Sequence, residues 1–191
     1  EYLVTTGLDS LKGADILKVA PQRYASTVKY PETLIARKLR GIAQVHFAGL
    51  GSRIFYCDHG SFDTHAGQNP GHGGLWSAVT EGLDAFMADL REHDHADDVI
   101  ILMFSEFGRR VHDNGSGTDH GAAGPAFVLG EKVKGGHYGE YPSLNAEKLV
   151  QGDLNPSMDF RSIYSTILEK WLKLDPKPIV GGRFEQPAFL N

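Results

Sequence analysis

Two short stretches cluster side chains able to hold a metal. "FYCDHGSFDTHAGQ" (55–68) places Asp58, His59, Asp63 and His65 close together, and "GSGTDHGAAG" (115–124) sets Asp119 beside His120. Carboxylate oxygen and neutral imidazole are ligands of zinc and of other first-row divalent ions. Asp58, Asp63 and His65 on one loop can supply two or three ligands. Adjacent Asp119 and His120 on an irregular loop point in different directions, so both can reach a metal pair, and their flanking glycines allow close backbone approach. The alternative for each stretch is a turn in which Asp caps backbone N–H groups and the histidine is incidental. A third stretch, "SEFGRR" (105–110), offers Glu106, Arg109 and Arg110. Glu106 and Arg109 can pair structurally, or Arg109 and Arg110 can clamp an anionic substrate, because guanidinium matches phosphate and sulfate geometry. Cys57 alternates within an apolar run and reads as a small buried hydrophobe rather than a nucleophile. "NGS" (114–116) fits the glycosylation pattern. His72, His93, His95 and His112 read as surface residues.

The elements that must position these groups follow from periodicity. "GADILKVA" (13–20) can form a short helix. Pro31 suits a first helical turn, and Leu34, Ile35, Leu39, Ile42, Val45 and His46 recur at helical spacing until Gly49 and Gly51. "RIFYC" (53–57) predicts a short buried strand and "GQNPGHGG" (67–74) a glycine-rich loop. Leu75, Val79, Leu83, Phe86, Met87 and Leu90 trace a second amphipathic helix. "DDVIILMFS" (97–105) predicts a central strand covered on both faces and flanked on both sides; "PAFVLG" (125–130) predicts a third. "DFRSIYSTILEKWLKL" (159–174) predicts a last helix. Helix–strand–helix–strand order implies an α/β fold, a parallel sheet sandwiched between helices, with the site beyond the carboxyl ends of the strands. All the candidate polar groups would then emerge at one edge of the sheet.

The bulk numbers are compatible with one domain over residues 1–191. Net charge is −5 and no Lys/Arg cluster stands out, which argues against a nucleic-acid partner. There is no apolar run long enough for a membrane span, and the first residues lack the features of a signal peptide. The single cysteine excludes an internal disulfide framework. Glycine, with 23 residues, and histidine, with nine, concentrate between 46 and 139, so the middle of the chain reads as the site and both ends as scaffold.

"FDTHAGQ", "FSEFGRRVHDNGSGTDHG" and "FVLGEKVKGGHYGEYP" together resemble the bacterial domain-of-unknown-function 1501 family, described as sulfatase-like and often exported by a twin-arginine signal. That family in turn resembles the alkaline phosphatase superfamily. The resemblance, over about residues 30–190, implies a two-metal centre using zinc or calcium. It implies Asp119 and His120 as adjacent ligands, Asp63 as the preceding metal Asp, and Asp58 as an acidic ligand for a further ion. His65 follows Asp63 by two positions where the superfamily spacing is four, and His137 stands where a last histidine could lie. Nothing in residues 1–50 matches the nucleophile strand. The expectation is therefore an N-terminally incomplete alkaline phosphatase-like domain whose catalytic nucleophile lies outside the chain, with weak metal binding and no ester hydrolysis by these residues alone. Its apolar surface would be covered by rearrangement or by a second copy, as a homo-oligomer. The implied activity is metal-dependent hydrolysis of phosphate or sulfate esters of small molecules or glycans, in the periplasm or outside the cell. The alternative is a non-catalytic relative that binds an anionic glycan or a protein.

Overall fold

The computed structural model describes residues 2–191, with side chains described except at 2–5 and 7–9. It divides into two compact units, one of the chain up to Asp63 with Asn69–Ala96, the other of Thr64–Gln68 with Asp97–Asn191. The first unit is helical: α1 (Tyr2–Arg23), α2 (Leu34–Phe47) and α3 (Gln68–Glu92). α2 starts three residues after Pro31, at Leu34, where the Thr33 side chain accepts a hydrogen bond from Ala36 N and so satisfies an orphan donor of the first turn. Ile35, Ala36, Leu39 and Ala43 form its buried stripe, and Val79, Gly82, Leu83, Phe86, Met87 and Leu90 are buried along α3. α2 and α3 pack closely at Gly82, where an added Cβ would sit 3.5 Å from Ala36 Cα, an ordinary van der Waals contact. Each large apolar side chain buried in this seam contributes roughly 1.5–3 kcal/mol. The predicted loop "GQNPGHGG" is instead, from Gln68 on, the first turns of α3. Pro70 there occupies one of the first positions, where no intrahelical N–H is needed.

The segment joining α1 to α2 is strapped to the last turns of α3. Asp89 is fully buried, and its Oδ2 accepts from the Tyr24 hydroxyl at 2.5 Å and the Tyr30 hydroxyl at 2.7 Å. Glu92 accepts from the Ser26 hydroxyl and from Thr27 N. His93, read from the sequence as a surface residue, is half-buried, with Nδ1 at 2.9 Å from Asp89 O and Nε2 at 2.9 Å from Ala25 O. Carbonyl oxygens only accept, so both contacts are hydrogen bonds only when the ring is an imidazolium. His93 sits just beyond the helix C-terminus, where the dipole also favours a cation. The hydrogen bond to the Asp89 carbonyl raises its pKa above 6.5, against a smaller opposing effect of burial, while the Thr27 N–H holds Glu92 below 4.5.

These shifts fix the sign of a pH effect. A raised histidine stabilises fully below 6.5 and loses its contribution as pH rises through the folded-state value; a lowered carboxylate stabilises above 4.5 and loses its contribution as pH falls through its own. The strap is therefore strongest between 4.5 and 6.5. The groups around the ring are Asp89, Glu92, Tyr24, Phe47 and His95, with Arg40 over Tyr24 and His46 beside Phe47. In urea titrations, the gap in midpoint between wild type and His93→Gln should widen as pH falls from about 8 to about 6. A gap that stays constant would contradict the charged ring.

The second unit contains β1 (Ile101–Met103), β2 (Gly108–Asp113), β3 (Thr118–Gly121) and β4 (Phe127–Leu129), then α4 (Phe160–Thr166), which continues as a π-helical turn, Ile167–Trp171, and α5 (Lys177–Val180). Asp159 caps α4 through Arg161 N. The strands form two separate two-stranded antiparallel sheets, β1 with β4 and β2 with β3. This overturns the parallel sheet sandwiched between helices, and with it the alkaline phosphatase-like core. "RIFYC" enters no ladder; it is extended, with Phe55 and Cys57 half-buried and Ile54 and Tyr56 exposed. "DDVIILMFS" yields a three-residue strand with one neighbour, and its residues are only half-buried. The chain between β1 and β4 folds back as the β2–β3 hairpin, so no helix crosses over, and a parallel pair needs such a crossover.

The hairpin tolerates no extra atoms at Gly108, where a Cβ would fall 1.8 Å from Ala123 O. Gly108→Ala should destabilise the second unit by at least about 1–3 kcal/mol, the cost of overpacking. Trp171 lies in that unit and the other tryptophan, Trp76, in the first, so Trp171 fluorescence in a Trp76→Phe background reads this loss in urea. An unchanged midpoint would show that the backbone yields there. No helix among the described residues is long and apolar enough to cross a membrane.

Candidate metal centre

β2 and β3 pair with Gly108 opposite Gly121, Arg109 opposite His120 and Asp113 opposite Thr118. Between the last two pairs, residues 110–112 of β2 face only Asp119 of β3, a bulge that leaves the tip free to bend. Opposed residues share a face, so Arg109 and His120 project together. Phe107 completes the row. Its ring stacks on His120 at 3.8 Å between centroids, and the Arg109 guanidinium lies 5.0 Å over it. His65, in the second unit's short segment Thr64–Gln68, brings its ring to 4.7 Å from that of His120. Ligating nitrogens of the two rings lie within 4.8 Å. Two imidazoles on one tetrahedral zinc stand about 3.4 Å apart, given bonds of roughly 2.0–2.1 Å. An approach of up to about 1.4 Å between the nitrogens, by side-chain rotation, would therefore make the pair chelating.

The segment carrying His65 is fastened to the hairpin tip. Asn114 Nδ2 donates to His65 O at 3.1 Å and to Asp119 Oδ1 at 3.0 Å. Its Oδ1 accepts from Ser116 N and Gly117 N. Gln68 Nε2 donates to Thr64 O at 2.6 Å, and its Oε1 accepts from the Thr118 hydroxyl at 3.0 Å. Gly67 N donates to Ser116 O. Gly117 permits the approach, since a Cβ there would be 2.7 Å from His65 O. The side-chain amide of the "NGS" asparagine, on an exposed residue, is engaged through both its nitrogen and its oxygen.

The remaining candidates have other surroundings. Asp63 precedes His65 by two residues and is exposed, so the chain itself keeps a carboxylate close to that imidazole. Asp119 alternates with His120 along β3, which turns it to the opposite face. Asp58 accepts from Lys38 Nζ at 2.6 Å, and this partner holds its carboxyl below the ordinary range. Arg109 donates through Nη1 to Thr118 O at 2.7 Å. Arg110 lies 3.6 Å from the Asp153 carboxylate. Glu106 is exposed in the turn before β2. His137 stacks on Tyr141 at 4.3 Å in the loop after β4. Burial raises the Cys57 thiol, which suits a buried hydrophobe and not a nucleophile.

Among the described residues, the second unit brings the imidazoles of His65 and His120 to metal-ligating distance, and the first unit gathers Asp89, Glu92 and His93. The Asp89 group fits an ion poorly, because both nitrogens of His93 already face carbonyls and Asp89 holds two tyrosine hydroxyls. The histidine pair fits: two solvent-accessible imidazoles are donors that a zinc uses, with its remaining positions open to other ligands. Sequence reasoning missed Asn114, Gln68 and Phe107 as parts of this site. The contact of residues 114–118 with residues 64–68 carries no signal in the sequence.

The family model described as Protein of unknown function (DUF1501) matches residues 20–186. No curated protein and no solved structure matches the chain.

Proposed function

We propose that this chain, which belongs to the DUF1501 family, acts in metal-dependent hydrolysis of phosphate or sulfate esters. His65 and His120 hold one divalent ion and Arg109 receives the anionic ester group. The observation that carries the reading is the facing pair of imidazoles on the hairpin face that also bears Arg109. A bound zinc or similar ion would polarise the ester oxygen as a Lewis acid. The chain's own contributions are positional. Thr118 O fixes one arm of the Arg109 guanidinium, and Phe107 supports its plane, which orients the fork toward an oxyanion. Phe107 also buttresses the His120 ring against rotation. The sulfatase-like resemblance supports a sulfate or phosphate monoester as substrate and a periplasmic or extracellular setting.

A second reading is a non-catalytic binding module for an anionic glycan or protein. It is favoured by the engagement of Asp58 with Lys38 and of Asp119 with Asn114, which leaves donors for one ion rather than two. Hydrolysis of aryl phosphate and aryl sulfate esters, with zinc and after chelation, separates the two. Turnover lost on chelation and restored by zinc is the expected result. Metal-dependent retention of the esters without turnover would establish the binding module, and no effect of metal on either would sink both.

A further inference from the structure

We infer that the side-chain amides of Asn114 and Gln68 are positioning groups that set the separation of the His65 and His120 imidazoles; this rests on the reading of that pair as a metal site. The two histidines come from segments more than fifty positions apart, so no local backbone geometry fixes their distance. Two amides do. Asn114 joins the carbonyl of His65 itself to the carboxylate next to His120. Gln68 joins the carbonyl before His65 to the hydroxyl of Thr118, two residues before His120. The ties therefore flank the pair on both strands of the connection. Each uses the amide's double character. The NH₂ donates toward residues 64–65, while the carbonyl oxygen accepts from the hairpin, at Ser116 N and Gly117 N for Asn114 and at the Thr118 hydroxyl for Gln68. Gly117, whose missing Cβ would collide with His65 O, sets how near the segments come.

A carboxylate at either position keeps the shape and the acceptor but removes the donor. Asn114→Asp retains acceptance from Ser116 N and Gly117 N, so the turn survives, while its new oxygen faces two acceptors, His65 O and the Asp119 carboxylate. Gln68→Glu does the same at Thr64 O without touching the turn. Groups that orient metal ligands typically matter by about 10–100-fold in affinity. The test uses the full chain with Co²⁺, whose visible absorption reports imidazole coordination, beside urea unfolding read by Trp171. Wild type should give a histidine-ligated Co²⁺ spectrum that His120→Gln abolishes. Asn114→Asp and Gln68→Glu should each bind Co²⁺ at least about tenfold more weakly, with a weaker band and an unfolding midpoint close to wild type. Wild-type affinity and spectrum in both amide variants would overturn the inference while leaving the metal site standing. Absence of the spectrum in wild type, or its persistence in His120→Gln, would overturn the metal reading and the inference with it. If Asn114→Asp unfolds the second unit, Gln68→Glu alone decides.

Discussion

Asp89→Ala should destabilise the first unit by about 3–5 kcal/mol, the cost of removing one partner from a buried charged cluster. The carboxylate has no solvent exposure and takes both tyrosine hydroxyls on Oδ2, while its Oδ1 lies 3.2 Å from His93 Nδ1. That ring N–H is directed at the backbone carbonyl, so Oδ1 supplies charge rather than a hydrogen-bond acceptor. Hydrogen bonds to a charged group contribute roughly 1.5–3 kcal/mol each. Alanine strands two hydroxyls that are part-buried and sit over an apolar seam. Burial, and then the Asp89 contact, already push the Tyr24 and Tyr30 phenols upward, so ionisation offers no relief at neutral pH. Tyr30→Phe removes one donor only and should lose about 1.5–3 kcal/mol. Urea unfolding followed by Trp76, in a Trp171→Phe background, isolates this unit. A loss for Asp89→Ala under about 1 kcal/mol would mean that water satisfies the hydroxyls and the strap is incidental.

His120→Ala should weaken zinc or Co²⁺ binding by at least about 100-fold, beyond the 10–100-fold typical of groups that only orient a ligand. That is about 2.7 kcal/mol of binding free energy, at about 1.4 kcal/mol per factor of ten. The substitution removes one of the two facing imidazoles and also frees Phe107, whose ring then no longer braces the pair. His112→Ala, an exposed histidine on the same hairpin, should leave affinity unchanged and serves as the control for non-specific imidazole binding. Isothermal titration at neutral pH measures both. Equal affinity in the two variants would show that the ion, if bound, sits elsewhere.

The sequence by itself determined α2, most of α3 and the helical run from Phe160, only residues 13–20 of α1, and the residue types of the candidate site. Leu34, Ile35 and Leu39 announced α2, the stripe from Val79 to Leu90 announced α3, and Phe160–Trp171 was legible as a helical run. Helical hydrogen bonds close within four residues, so local periodicity specifies them. Asp63, His65 and His120 were legible as ligating chemistry for the same reason: identity and spacing sit in the chain. Only the tertiary structure decided the sheets and the strap. A strand exists when a second strand accepts its ladder, and neither Phe55 nor Ile101 carries information about that partner. Hence "RIFYC" stays unpaired, β1 pairs antiparallel with β4, and no parallel sheet forms. Asp119 and His120 looked alike as neighbours, but the strand's two-residue period sends them to opposite faces. The carboxylate that anchors the first unit, Asp89, carries no local signal in the sequence. Its role depends on two tyrosines some sixty positions away, a distance in sequence that folding reduces to hydrogen-bond length.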